Sequence, residues 1–285
     1  MQQVDFRIVF WGTRGSRPVS GRETLVYGGN TPCVQVQVGE KMVILDGGTG
    51  LTNLGLHLVA ANKEKKPLKA HLFFSHVHWD HIQGLPFFVP AYHGENYLLF
   101  YGEVKEQHSF ASIIKKIMSK PYFPIEFDEL AAQKEIHEIG PQQELDLGTG
   151  VTVKTARNNH PSGCLSFRVE HGGRSCCYCT DTEHYPDRVD PVLQEFVSGT
   201  DVLIYDTNYT DDEYRGTHDD FPRYCWGHST WQEGVKLARS AGVKKLVLFH
   251  HEATRSDTEL ARIEKEAQQT FPNCIAAREG LSLLL

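Results

Sequence analysis

The stretch Ser75–Gly84, SHVHWDHIQG, decides the fold because it places four metal-binding side chains directly behind an apolar run, LKAHLFF. The apolar run predicts a buried strand that ends at His76, and loops at strand ends hold functional side chains rigidly. Imidazole and carboxylate groups suit Zn²⁺, Mn²⁺ or iron. If the turn points its residues to two sides, His76 and His78 bind one metal ion, and Asp80 and His81 bind a second.

Three further residues of the same chemical type follow predicted strands: His160 after VTVKTARNN, Asp181 at the end of SCCYCTD and His250 after KKLVLF. Two metal ions about 3.5–4 Å apart stabilise both the attacking and the leaving oxygen of a displacement. Each ion needs several ligands, and an aspartate bridges two ions naturally because it has two oxygens. The alternative, a set of solvated loop histidines, requires five separate segments to carry these residues by chance.

The rest of the chain alternates between strand and helix patterns. Strands are predicted at FRIVFWG and in a hairpin, CVQVQVGEKMVILDGG, where valines alternate with glutamines and indicate one buried and one solvent-facing side. A helix follows at LTNLGLHLVAA, and further strands at VTVKTA, SFRVEH, SCCYCTD, DVLIYD and KKLVLFHH. Between residues 97 and 150, a helix at SFASIIKKIMSK and an ordered loop at KPYFPIEFDEL are predicted.

Two helices near the C-terminus carry boundary signals. Thr230 and Glu233 form a capping-box pattern at the start of TWQEGVKLARSAG, and Gly242 marks its end. Ser256 and Glu259 give the same pattern at SDTELARIEKEAQQTFP, whose proline ends the helix. Together these patterns predict a layered α/β sandwich in two similar halves rather than a doubly wound parallel sheet.

The bulk composition is that of a globular protein with a substantial core, with 40% hydrophobic and 23% charged residues among 285. No linker divides the chain, so we expect one domain over residues 1–285. A formal charge of −7 argues against a general nucleic-acid binder. Seven cysteines without a disulfide framework, and an N-terminus without a leader pattern, predict a cytoplasmic protein. No apolar run approaches the ~18 residues that cross a bilayer, so no membrane partner is expected.

This arrangement resembles the metallo-β-lactamase superfamily, whose pattern is His-x-His-x-Asp-His followed by a histidine, a bridging aspartate and a final histidine. The resemblance runs from WGTRGS to LFHH and implies a four-layer αββα sandwich. It implies two metal ions, the first bound by His76, His78, His160 and Asp181, and the second by Asp80, His81, Asp181 and His250. His250 is preferred over His251 because the family's ligand directly follows the strand. Asp46, in ILDGG, matches an early aspartate that supports the site from behind its ligands.

The segment WGHST, Trp226–Thr230, makes the resemblance closest to the ribonuclease Z and small phosphodiesterase branch. There the equivalent histidine lies beside the metals and protonates the leaving oxygen or holds the phosphate, a role that falls on His228 here. FWGTRGSRP also resembles this branch, and it predicts a phosphate contact through backbone N–H groups and Arg14 or Arg17. The alternatives are a structural histidine and a plain glycine-rich turn.

The resemblance therefore implies a dinuclear metal-dependent phosphodiesterase, with Zn²⁺ or Mn²⁺ as the ions and iron as a further option. A metal-bridged hydroxide would attack phosphorus, with Asp80 orienting it and His228 assisting the leaving alkoxide. Because no basic, glycine-rich arm for grasping transfer RNA is present, we expect a small or cyclic diester, such as a cyclic nucleotide, and no stable nucleic-acid partner. The alternatives are a thioester or lactone hydrolase, a nuclease acting on nucleic-acid ends, and a metal-binding regulator without turnover.

Several other side chains carry predictions. His184 and His218 are candidates for the pocket lining. The cysteines of CCYC are interpreted as part of a strand rather than as a structural zinc site. The apolar segment PYFPIEF suggests a homodimer contact. An apolar wall for a base or sugar is predicted from five side chains, with core packing as the alternative: Trp79, Phe87, Phe88, Tyr92 and Phe123.

Overall fold

A computed structural model describes residues 4–64, 66–217 and 219–285. Within these residues, two sheets of seven strands each are formed. The strands are β1 Phe6–Gly12, β2 Cys33–Val38, β3 Lys41–Leu45, β4 Lys69–Phe73, β5 Tyr97–Gly102, β6 Gln133–Glu138, β7 Glu144–Asp146, β8 Thr152–Asn158, β9 Cys164–His171, β10 Arg174–Cys179, β11 Val202–Asp206, β12 Lys245–Phe249, β13 Cys274–Ala276 and β14 Ser282–Leu284. The α-helices are α1 Gly50–Ala61, α2 Trp79–Ile82, α3 Phe110–Ile117, α4 Pro191–Phe196, α5 Asp211–Arg215, α6 Trp231–Ser240 and α7 Asp257–Thr270.

The two sheets have the same construction, which confirms the prediction of two similar halves. The first sheet has the order β14-β1-β2-β3-β4-β5-β6 and the second β13-β12-β11-β10-β9-β8-β7. In the first, pairing is antiparallel from β14 to β3 and parallel from β3 to β6. In the second, pairing is antiparallel from β7 to β10 and parallel from β10 to β13. Both are therefore mixed sheets, unlike a doubly wound parallel sheet.

Three apolar cores separate four layers, as the predicted αββα sandwich requires. The central core lies between the sheets, where Phe73 packs edge-on against Phe167 at 5.3 Å and Phe10 contacts Phe249 at 6.1 Å. Each such aromatic pair contributes about 0.5–1.5 kcal/mol beyond its buried area. An outer core joins the first sheet to α1 and α3, and another joins the second sheet to α4, α6 and α7.

The predicted helix boundaries are largely confirmed. The Ser256 hydroxyl and the Glu259 side chain form a reciprocal capping box at the start of α7. Thr230 caps α6 by accepting a hydrogen bond from the backbone N–H of Glu233, although the Glu233 carboxylate pairs with Lys236 instead of returning to the cap. Gly242 follows the end of α6 with φ +65°, a left-handed conformation that glycine adopts without strain.

Some local predictions are wrong. β4 ends at Phe73 rather than at His76, because the N–H of Ser75 donates to the Asp46 carboxylate at 2.7 Å. The face of β2 predicted to meet solvent is partly covered: Gln35 is 9% exposed and accepts a hydrogen bond from the indole N–H of Trp11. β5, β6 and β7 occupy a region where only a helix and a loop are predicted. β5 shows no alternation because it is buried on both faces, and β6 is a polar edge strand.

The fold brings the carboxyl ends of β4, β8, β10 and β12 to one edge of the two sheets, and the segments after these ends carry the predicted ligands. No helix in the described part of the chain is both long and apolar enough to span a bilayer.

Candidate metal centre

The structure brings all seven predicted ligand side chains into one cluster at this edge. One set offers ligand atoms that lie within 4.8 Å of one another: His76, His78, His160 and Asp181. A second set meets the same distance limit: Asp80, His81 and His250. His78 is the exposed member of the cluster, whereas the others are buried, so the centre opens to solvent beside His78.

Asp181 lies between the two sets. Its Oδ1 is 3.2 Å from Nε2 of His81 and 3.3 Å from Nε2 of His250. Its Oδ2 is 3.6 Å from Nε2 of His76 and 3.9 Å from Nε2 of His160. Each oxygen of this one carboxylate thus faces a different set of imidazoles, which is the arrangement that a bridging ligand between two cations requires.

Backbone conformation directs several of these side chains inward. Asp46, Asp181 and His250 all have positive φ, at 62°, 48° and 58°, close behind the strands that precede them. Such conformations cost of order 1–3 kcal/mol each and cluster at functional sites. A side chain at Gly15 would place its Cβ 2.5 Å from Nδ1 of His250, so this turn must stay free of side chains for His250 to occupy its position.

Asp46 fixes the orientation of His81 from behind. Its Oδ2 accepts hydrogen bonds from Nδ1 of His81 (2.7 Å), the Ser75 hydroxyl (2.8 Å) and the Tyr178 hydroxyl (2.7 Å), and its Oδ1 accepts from the Ser75 N–H. An Nδ1–H on His81 leaves the lone pair on Nε2, which faces Asp80 and Asp181. This is the supporting role predicted for Asp46.

The donor atoms of the cluster fit divalent cations. Nε2 of His76 and Nε2 of His81 are buried without a hydrogen-bond partner, a costly state unless another group satisfies them. Nδ1 of His160 donates to the carbonyl of Gly227 at 2.8 Å, which leaves Nε2 of His160 for the cluster. Neutral imidazoles and carboxylates in this arrangement are the ligands that Zn²⁺ and Mn²⁺ accept.

The electrostatics of the cluster favour positive charge at its centre. Burial raises the pKa of Asp80, but His81 and His250 outweigh this effect and hold that pKa well below its usual value. Burial lowers the pKa of His81, but the carboxylates of Asp80, Asp181 and Asp46 outweigh burial and raise it well above its usual value. Three carboxylates around one imidazole therefore favour a positive charge at this position.

His228 lies beside the cluster, as predicted. Its Nδ1 is 2.9 Å from Oδ2 of Asp206 and 3.9 Å from Oδ2 of Asp181. Burial lowers the pKa of His228, but the Asp206 carboxylate outweighs it and raises the pKa to about 9. A third set of ligand atoms within 4.8 Å consists of Asp181, His228 and His250. The position of His228 thus suits a proton donor and also lies within reach of a metal ion.

Asp206 is a functional candidate that the sequence reasoning missed. It is fully buried at the end of β11, where Oδ1 accepts a hydrogen bond from the Asn208 N–H and Oδ2 lies 3.2 Å from the Thr182 N–H. These bonds fix the carboxylate that orients His228. The signal was available, since Asp206 ends the apolar run DVLIYD in the same way that Asp181 ends SCCYCTD.

The predicted contact between Arg14 and a phosphate at the mouth is wrong. Arg14 is fully buried, and its guanidinium donates to the carbonyls of Gly28, Glu252 and Arg255. Burial lowers its pKa. Arg14 therefore ties together three loops behind the centre, whereas Arg17, three residues later, is exposed.

The other histidine predictions have mixed outcomes. His251 is buried with Nε2 2.8 Å from the carbonyl of Ala277 and belongs to none of the ligand sets found in the described chain. Nδ1 of His184 lies 3.1 Å from the Ser229 hydroxyl, and its ring packs on Tyr214 at 4.3 Å. His218 lies outside the described residues.

The predicted apolar wall is only partly present. Trp79 and Phe87 are 69% and 54% exposed, and Phe123 packs edge-on against Phe87 at 5.7 Å. Phe88 is wrongly assigned to the wall, because it is fully buried in the core under α1. Tyr92 is half-buried, and its hydroxyl donates to the carbonyl of Pro86.

The cysteines of CCYC lie on strand β10, as predicted. Cys176 faces the core between the sheets, whereas Cys177 and Cys179 face the helices. Side chains on opposite faces of a sheet do not converge on one ion.

Comparison with known proteins agrees with the fold. The family model described as "Beta-lactamase superfamily domain" matches residues 41–251. Ribonuclease Z of Thermoplasma acidophilum is 24% identical over 319 aligned residues, covering 94% of this chain and 94% of that protein. The metallo-beta-lactamase fold protein YhfI from Bacillus subtilis has a TM-score of 0.72 at 21% identity, covering 99% of this chain and 100% of that one. Human tRNase Z, short form, has a TM-score of 0.67 at 19% identity, covering 97% and 98%.

Proposed function

The chain belongs to the beta-lactamase superfamily, and we propose that within it the chain is a phosphodiesterase that uses two divalent metal ions, Zn²⁺ or Mn²⁺. The observation that carries this proposal is the position of Asp181, whose two oxygens face two separate sets of imidazoles. When bound, two such ions polarise a phosphoryl oxygen and lower the pKa of water between them. The buried, partnerless Nε2 atoms of His76 and His81 support the same assignment.

Asp80 is proposed to orient the attacking water and to accept its proton, besides binding metal. Its Oδ2 accepts a hydrogen bond of 2.7 Å from the N–H of Ser16, which fixes the carboxylate relative to the turn after β1. Ionised Asp80 is an acceptor only, as this role requires.

His228 is proposed to donate a proton to the leaving oxygen. The Asp206 carboxylate holds Nδ1 of His228 at 2.9 Å, so that Nε2 is the nitrogen left for a substrate. This acid–carboxylate pair favours a diester with an alkoxide leaving group over a thioester, because a thiolate leaves without prior protonation. General acid catalysis of this kind contributes about 10²–10⁴-fold to a rate.

A small or cyclic phosphodiester, such as a cyclic nucleotide, is the proposed substrate. Its support is the acidic net charge of −7 and the lack of a basic, glycine-rich arm in the sequence. A nuclease acting on RNA ends is the second candidate, and the relative named Ribonuclease Z, which aligns along 94% of this chain, favours it. A thioester or lactone hydrolase is the third.

Hydrolysis of a substrate panel by protein loaded with Zn²⁺ or Mn²⁺, with chelated protein as the control, tests the proposal. The panel contains bis(p-nitrophenyl) phosphate, cyclic nucleotides, a ribose cyclic phosphate, short RNA, a thioester and a lactone. We expect metal-dependent cleavage of the diesters, fastest for a small cyclic one. Faster cleavage of RNA would select the nuclease, and cleavage of the thioester or lactone alone would refute the phosphodiesterase.

The role of His228 is tested separately with His228→Ala and, as a matched control, His108→Ala, an exposed histidine outside the cluster. We expect His228→Ala to lower turnover by about 10²–10⁴-fold while the metal content stays at two ions per chain. Parallel loss of metal and activity would instead make His228 a ligand, together with Asp181 and His250.

A homodimer through the PYFPIEF segment is also proposed. Tyr122 in this segment is 80% exposed, which leaves a large aromatic side chain open to a second copy. Light scattering of wild type and Tyr122→Ser measures the oligomeric state, and an unchanged monomeric mass for both would exclude this contact.

A further inference from the structure

Glu183 connects the three loops that carry His160, Asp181 and His228. Glu183 is 9% exposed and lies two residues after Asp181. Oε1 accepts hydrogen bonds from the N–H of Cys225 (2.8 Å) and from the Tyr214 hydroxyl (2.5 Å), and Oε2 accepts from the N–H of Gly227 (2.9 Å). One carboxylate therefore holds the loop before His228 at two alternate N–H groups.

The same residue is joined to the loop of His160. The N–H of Glu183 donates to the carbonyl of Asn159 at 2.7 Å, and the Asn159 side chain donates back to the Glu183 carbonyl at 3.0 Å. Gly227 connects Glu183 to His160. Its N–H donates a hydrogen bond to Glu183, and its carbonyl accepts one from Nδ1–H of His160 at 2.8 Å.

We propose that Glu183 is a positioning residue that sets two side chains at once: His160 through the Gly227 carbonyl, and His228 through the Cys225–Gly227 loop. For His228 the proposal rests on the function proposed above, whereas for His160 it requires metal binding alone. Glu183 acts on the reaction through these histidines.

The hydrogen-bond pattern explains why this position needs a carboxylate. Three donors converge on Glu183, and a carboxylate accepts them all without presenting a donor of its own. A buried carboxylate is costly to desolvate, so it is tolerated where charge-assisted bonds satisfy it. In a near-isosteric glutamine, the amide N–H₂ would face either the Gly227 N–H or the Cys225 N–H, and that part of the loop would move away.

Glu183→Gln is the test variant and Tyr214→Phe its control. Tyr214→Phe removes the third donor to the same carboxylate but leaves both backbone bonds to the His228 loop in place. Glu183→Asp, which keeps the charge but is one methylene shorter, replaces Glu183→Gln if that variant does not fold. Circular dichroism and thermal unfolding establish the folded state of each protein.

The first measurement is metal binding, by titrating Zn²⁺ against a chromophoric chelator. We expect the wild type and Tyr214→Phe to bind two ions with the same affinities. Glu183→Gln should lower the affinity for one of the two ions by about 10–100-fold, because losing the hydrogen-bond partner of a metal ligand has an effect of this size. The affinity for the other ion should stay unchanged. If Glu183→Gln bound both ions with wild-type affinity, the proposal that Glu183 positions His160 would be overturned.

The second measurement compares leaving groups. From bis(p-nitrophenyl) phosphate, p-nitrophenolate leaves without a proton, whereas the panel diester with an alkoxide leaving group needs one. At saturating metal, Glu183→Gln should lower kcat for the alkoxide diester by about 10–100-fold, part of the 10²–10⁴-fold that a general acid supplies, with little change in KM and a much smaller loss for the nitrophenyl diester. His228→Ala should show the same preference for affecting the alkoxide diester, with a larger loss of about 10²–10⁴-fold.

The possible outcomes separate the two proposals. Equal losses for both leaving groups in Glu183→Gln would show a merely structural role and would overturn the positioning of His228. If the wild type cleaves no diester, the proposed function fails, and the metal titration alone then decides whether Glu183 positions His160. A loss in Tyr214→Phe equal to that in Glu183→Gln would also overturn the inference, since it would assign the effect to local packing.

Discussion

The Asp46→Asn variant tests whether Asp46 contributes to metal affinity in addition to its contribution to the stability of the fold. Asp46 accepts four buried hydrogen bonds, two through Ser75, one from Tyr178 and one from Nδ1 of His81. The hydroxyls of Ser75 and Tyr178 can rotate and accept a bond from an amide instead. The N–H groups of Ser75 and His81 cannot, and because the amide has one oxygen, one of them must face an N–H₂ group.

The magnitude follows from this count. Losing one hydrogen bond to a charged acceptor lowers the free energy of unfolding by about 1.5–3 kcal/mol. In either orientation of the amide, the negative charge that makes His81 a more basic ligand is also lost. Removing such a partner lowers metal affinity by about 10–100-fold. Asparagine also tolerates the positive φ of 62° at this position, so backbone strain adds little.

Tyr178→Phe is the matched control, because it removes one bond from the same carboxylate oxygen without touching His81. Both variants should lose a similar free energy of unfolding in urea denaturation of the metal-free protein. In competition with a chromophoric chelator, Asp46→Asn alone should bind metal more weakly. Wild-type metal affinity in Asp46→Asn, or an equal loss in Tyr178→Phe, would refute the assignment.

Three further predictions concern a loop, a buried histidine and a helix end. Gly227→Ala should weaken metal binding, measured by the same chelator competition, because φ is +81° and the new Cβ would lie 2.2 Å from Nδ1 of His160; unchanged affinity would contradict this. Burial, and then the charges of nearby lysines, lower the pKa of His71 from 6.5 to about 4, so its neutral form stabilises the fold fully above pH 6.5 and less as pH falls toward 4. His71→Leu should therefore flatten the loss of unfolding free energy in that window, and an unchanged slope would exclude His71 as its source. Ser256→Ala should lower the free energy of unfolding by about 1 kcal/mol, because it removes the hydroxyl that caps α7 by accepting a hydrogen bond from the N–H of Glu259. Turnover should stay unchanged, and a fall in turnover would contradict a purely structural cap.

The ligand cluster was predictable because its signal is local. His76, His78, Asp80 and His81 follow an apolar run within six residues, and single polar residues end other strands in the same way. Asp206 carries that signal too, at the end of DVLIYD, although the run by itself predicts only a strand. Glu183 had no such signal, since its partners Cys225 and Gly227 lie 42 and 44 residues away.

The errors at Arg14 and in residues 97–150 have physical causes. An arginine in a glycine-rich turn is usually solvated, but here three carbonyls from two distant loops accept hydrogen bonds from Nε and Nη1 of Arg14. β5 has the sequence YLLFYG and is buried on both faces, so it lacks the alternation by which strands are recognised. The strands predicted correctly, such as β8 and β12, either alternate or are bounded by clear turn residues.

Under the proposed function, the ligand cluster decides the type of reaction more than it decides which substrate is bound. All of its members except His78 are buried, so in that function they would contact the reacting group and little else of a larger molecule. Discrimination must therefore fall to exposed side chains around His78 and His228. Trp79 directly follows His78 and is 69% exposed, and Trp226 lies two residues before His228 and is 49% exposed. Exposed indole rings stack on bases without reading their sequence, at about 1–3 kcal/mol per base. A substrate with bases would gain this stabilisation, whereas a cyclic diester without one would leave both rings in water.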